Sequence, residues 1–89
     1  MVVKEMIRVA YYAAQVARCE VELALATERA ETLWAVTQRP DVRVDWDALC
    51  RAWEAADRAH DARRDAESAL GQAERLLTAA RQAAGLVTA

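Results

Sequence analysis

From residue 49 onward, apolar or alanine residues recur at alternating intervals of three and four: Leu49, Ala52, Ala56, Ala59, Ala66, Leu70, Ala73, Leu77, Ala80, Ala84 and Val87, with Arg63 the one polar member of the series. That alternation is the a/d stripe of a left-handed coiled coil, and neither a strand nor a loop sustains it over so many turns. The adjoining g positions are Ala48, Ala55, Ala62, Ala69, Leu76 and Ala83, so the face broadens to three positions in seven. A face of that width needs several neighbours or one very close one. Alanine favours the second, because small seam residues let two helix axes come nearer than the ~8–10 Å usual between helices.

Helix boundaries follow from local chemistry. Asp45 is placed to cap the second helix, with Val44 before it and Leu49 after it forming a hydrophobic staple. Asp47 suits the positive end of the helix dipole. Pro40 cannot continue a helical ladder and biases the residue before it away from helical dihedrals. The expected organisation is one domain, 1–89, with helix 1 over about 3–38, a turn at 39–44 and helix 2 over about 45–84. Gly71 falls on the outer face of helix 2 and Gly85 marks its end.

In the first half, Val2, Met6, Val9, Ala13, Val16, Cys19, Leu23, Ala26, Ala30 and Leu33 form a matching stripe of mean spacing near 3.5. A second apolar row runs beside it: Val3, Ile7, Ala10, Ala14, Ala17, Val21 and Ala24, roughly 100° around the helix. One partner helix does not cover both. The short connection makes the two helices antiparallel, and a turn centred near residue 42 sets Glu20 opposite Arg63, the polar misfits of the two faces. A partly buried Glu20–Arg63 ion pair is therefore expected to mark the register. The same register puts Cys50 level with residue 34, about 22 Å along the axis from Cys19. That gap is too wide for an intrachain disulfide, so both thiols are expected reduced, in the core or at its boundary.

Composition narrows the function classes. Of 89 residues, 22 are alanine, so the apolar share of 55% offers mostly single methyl groups to a core. A chain this short and this poorly supplied is marginal alone, which points to an oligomer. Eleven arginines against one lysine, with the alanine excess, suggest a high-GC gene and put a small phage or bacterial structural or adaptor protein among the candidates. Net charge is −2 with no basic tract, so neither nucleic acid nor a membrane surface is an expected partner. No signal-peptide core or membrane span is visible, and a cytoplasmic location is the expectation.

Trp34, Val42, Val44, Trp46 and Trp53 gather all three tryptophans close to the turn. They either cover the open end of a bundle formed with a second copy or anchor a protein partner at the hairpin tip. No nucleophile beside a base, no glycine-rich phosphate loop and no Cys-x-x-Cys is present, and none of the tryptophans begins a Trp-x-Gly turn. The sole histidine lies in Asp57-Arg58-Ala59-His60, with Glu28 level with Asp57 in the expected register. In size and layout the chain resembles the small encapsulated ferritins, which use a Glu on helix 1 and Glu-x-x-His on helix 2. The resemblance implies Glu28, Asp57 and His60 as iron ligands twinned across a dimer, although Asp stands where that motif has Glu.

The expectation is thus an all-α antiparallel two-helix hairpin, an alanine-rich coiled coil, that completes a four-helix bundle or larger array by oligomerisation. Its expected role is non-enzymatic interaction and assembly without a cofactor, with self-association through the second row on helix 1. A ferritin-like iron oxidoreductase assembled at a dimer interface is the alternative.

Overall fold

The computed structural model describes residues 2–85 and consists of two long helices joined as a hairpin, α1 (Val3–Thr37) and α2 (Trp46–Ala83). No strand occurs among the described residues. The rod measures 68 × 18 × 17 Å.

The chain leaves α1 because its last turn tightens. Gln38 N–H donates to Ala35 O and Arg39 N–H to Val36 O, both three residues back. Thr37 Oγ1 donates to Trp34 O at 2.6 Å, and Pro40 follows with no N–H to give. Asp45 starts α2: its Oδ1 accepts from Ala48 N–H at 3.0 Å, satisfying one of the free donors of the first turn. Val44 is half-buried just before the cap and Leu49 is buried just after it. At the far end Gly85 takes φ +70°, the left-handed conformation that ends many helices and that glycine adopts without a Cβ clash.

Burial on α2 follows the three-four alternation throughout. Leu49, Ala52, Ala56 and Ala73 are buried, and Ala59, Arg63, Ala66, Leu70, Leu77 and Ala80 are half-buried. Ala84 is exposed, and Val87 lies outside the described residues. On α1 the seam runs through Val2, Glu5, Val9, Tyr12, Val16, Cys19, Leu23, Ala26, Ala30 and Leu33. Two members differ from the expected stripe, since Met6 and Ala13 face solvent and Glu5 and Tyr12 take their places. The tyrosine ring offers far more apolar surface than a methyl group, and turning it inward carries Glu5 inward about two turns earlier. Glu5 Oε2 is buried there without a hydrogen-bond partner among the described residues.

The core is thin. Among the described residues five are buried, Ala30, Leu49, Ala52, Ala56 and Ala73, and no large side chain is fully enclosed. Two grooves record which stretches lie side by side: Leu25, Ala26 and Arg29 with Ala48, Arg51, Ala52 and Ala55, and Arg8 and Tyr12 with Ala69, Gln72, Ala73 and Leu76.

The expected Glu20–Arg63 pair is not made. Arg63 Nε instead donates along its own helix to Glu67 Oε1 at 2.9 Å, and Glu20 is exposed. Four residues of separation bring the two groups together on one helix face, and both stay more than a third exposed, so the local pair avoids the desolvation a cross-seam pair requires. Cys19 is half-buried on the seam; Cys50 is exposed rather than at a core boundary, and both thiols are free.

Candidate functional site

The two helices differ most on the faces they turn away from each other. On α2 that outer face is mostly charged: Asp47, Glu54, Asp57, Arg58, Asp61 and Arg64 are all exposed, with Trp46 and Trp53 the large apolar exceptions near the tip. On α1, from residue 3 to 25, the outer face is apolar. Val3, Ile7, Ala10, Ala14, Ala17, Val21 and Ala24 are each exposed, with Ile7 at 63% and Val21 at 60% of their free-residue area. Tyr11 and Leu25 extend the same face. Because the seam passes through Glu5 and Tyr12, this row lies about 150° around α1 from the seam, more nearly opposite it than the expected 100°. A soluble helix usually confines its apolar residues to one stripe, and the first 25 residues of α1 carry two.

Polar side chains border this strip along one edge: Lys4, Arg8, Gln15, Arg18 and Glu22. Gln15 Nε2 donates to Tyr11 Oη at 2.9 Å, and the Tyr11 and Tyr12 rings meet edge to face at 5.2 Å. Beyond Leu25 the outer face turns polar with Glu28, Glu31 and Thr32.

The hairpin also exposes more surface than a chain of its mass normally does. A compact folded monomer of 9.9 kDa exposes about 5,200 Å² by the scaling of surface with mass. This chain exposes 6800 Å². The excess, about 1,600 Å², reflects a rod only two helices thick.

At the tip, Trp34, Trp46 and Trp53 are 50%, 59% and 41% exposed, and Val42 and Val44 are half-buried. The tryptophans do not stack on one another; Tyr11 and Tyr12 form the one aromatic pair among the described residues. Sequence spacing brought these residues to one end of the rod without revealing that all three rings would stay open to solvent.

Glu28, Asp57 and His60 are exposed, and no three His, Cys, Asp or Glu side chains come together as a metal-holding group among the described residues. Asp57 projects from the outer face of α2, away from α1, so a hairpin cannot aim it and Glu28 at one ion. One hairpin thus does not by itself gather the ligand set that the ferritin resemblance implies across a dimer. No described helix is long and apolar enough to cross a membrane.

Searches of protein-family models, curated proteins and solved structures return no match to this chain.

Proposed function

We propose that this chain is a non-enzymatic assembly protein: an antiparallel helical hairpin that self-associates through the outer face of α1 and so completes a four-helix bundle. The observation that carries this reading is the contrast between outer faces, charged along α2 and apolar along α1 from Val3 to Leu25. The size of the excess surface agrees with it. Obligate homodimers bury roughly 2,000–5,000 Å² in total, or about 1,000–2,500 Å² per chain, a range that includes the excess of about 1,600 Å². A second copy also supplies the large side chains that the alanine seam lacks, and a marginal hairpin gains stability by mass action when it pairs.

Light scattering across a dilution series tests the reading. A dimer or larger species at micromolar concentration supports it, and a strictly monomeric species overturns it.

The exposed tryptophans favour a second role for the tip, as a port for another protein. Their fluorescence separates the two uses of this end. Emission that shifts to shorter wavelength on self-assembly means the rings are covered by the second copy, and unchanged emission leaves the tip free for a partner.

A further inference from the structure

Building on the reading of α1 as a self-association face, we infer that two copies meet antiparallel, on a twofold axis that crosses α1 between Ala14 and Gln15. Side-chain size along the strip is nearly palindromic about that point. Along the centre line large residues stand at each end, Val3 and Ile7 against Val21 and Leu25, with Ala10, Ala14 and Ala17 between them and the larger Tyr11 and Arg18 set toward the polar edge. Antiparallel pairing brings Val3 level with Leu25 of the second copy, Ile7 level with Val21 and Ala14 level with itself, each to within a residue. The small central residues let the two axes approach closely, and the ends fill with branched side chains.

Size alone also permits a parallel pair in register, so charge decides between them. A twofold axis perpendicular to two antiparallel helices makes each edge of the strip meet the same edge of the second copy. Arg8 then faces Glu22 of the second copy to within a residue, Lys4 stands nearly one turn from the same carboxylate, and the Arg18 guanidinium comes level with the Tyr11 ring. Every charged group on that edge gains a partner. Parallel pairing sets this edge against Met6, Ala13, Ala17 and Ala24, where Glu20 is the one charge. It also sets Glu28 and Glu31, on the outer face beyond Leu25, against their own copies, whereas antiparallel pairing leaves them outside the paired stretch.

The arrangement fixes the shape of the assembly. Four helices overlap over the central ~33 Å, the length of residues 3–25 at helical rise. The two tips point in opposite directions, about 75 Å apart. Cys50, exposed near the tip and adjacent to the groove that Arg51 and Ala52 form with Ala26 and Arg29, lies about 40–55 Å from its counterpart. Parallel pairing places the same two residues within about 25 Å, the width of a four-helix bundle.

Spin labels on Cys50, in a Cys19→Ala background, measure this distance directly. A separation of about 40–55 Å is expected, and one below about 25 Å overturns the antiparallel arrangement. Small-angle scattering of the unaltered chain gives the same answer should Cys19→Ala not assemble. A largest dimension near 80 Å supports the staggered pair, and one that stays near the 68 Å of a single hairpin overturns it. Charge reversal supplies a third readout: Arg8→Glu and Glu22→Arg each weaken dimerisation about tenfold, and the double variant returns to within about threefold of the parent. Single reversals without effect refute the pairing. A short label distance in a genuine dimer removes only the orientation, whereas a monomer at all concentrations removes the self-association face as well.

Discussion

Replacing Ile7 with alanine tests the outer face of α1 where its apolar load is concentrated. The substitution removes three carbons, each worth about 0.8 kcal/mol when fully buried, or about 2.4 kcal/mol in all. In the isolated hairpin Ile7 is already 63% exposed, so about 1.5 kcal/mol of that total arises only when a second chain covers it. Two copies double the loss to about 3 kcal/mol, which raises the dimer dissociation constant roughly 150-fold. Alanine is a slightly better helix former than isoleucine, so helix content at a concentration where both proteins are assembled is expected to hold. Sedimentation equilibrium over a concentration series reads the constant, with Glu54→Ala on the charged outer face of α2 as the control. A change below about threefold for Ile7→Ala, or an equal change for Glu54→Ala, refutes the assignment of this face to assembly.

Other substitutions probe the hairpin itself. Gly71→Ala is expected to raise stability by about 0.5–1 kcal/mol in urea unfolding, because the added Cβ meets nothing closer than Arg75 Nη1 at 3.6 Å and the helix loses a flexible residue. Asp45→Ala is expected to cost about 1 kcal/mol by removing the acceptor for Ala48 N–H, while Asp45→Asn keeps most of it; equal losses would refute the capping role. Arg63→Leu is expected to leave stability unchanged or raise it by about 1 kcal/mol, since a seam position gains apolar contact and gives up only an exposed pair with Glu67. A double-mutant cycle between Glu20 and Arg63 is expected to show coupling below about 0.3 kcal/mol, and a larger value would restore the cross-helix pair.

Much of the fold was legible because α2, apart from Trp46, Trp53 and Leu76, is polar or alanine away from its seam. With charge on the outer face and alanine or leucine inside, only one phase of the heptad fits, and burial from Leu49 to Ala80 follows it. The Asp45 cap was legible for a similar reason, its geometry depending on a few adjacent residues. Helix α1 resisted the same treatment. Its first 25 residues are apolar on two faces, so Met6 and Ala13 fit a seam on spacing about as well as Glu5 and Tyr12, and side-chain volume decided. The Arg63 pairing was misjudged because charge matching across the seam ignored a carboxylate one turn away on the same helix. At the candidate site the row from Val3 to Ala24 could be named from spacing, but the 41–59% exposure of the three tryptophans depends on how each ring packs at the tip.

The alanine seam reverses the usual direction of mutational damage. In an ordinary core, harm comes from deletion, because a lost isobutyl group leaves a hole. Here four of the five residues buried among those described have a single methyl group to lose, and Ala30 has no exposed surface at all. The damaging change is enlargement: valine or leucine at Ala30, Ala52, Ala56 or Ala73 must push two rigid rods apart, and the gap opened at one level is transmitted to its neighbours along the axis. A saturation scan of this protein would therefore tolerate serine or glycine at positions where it rejects leucine, the opposite of the profile by which buried positions are ordinarily recognised.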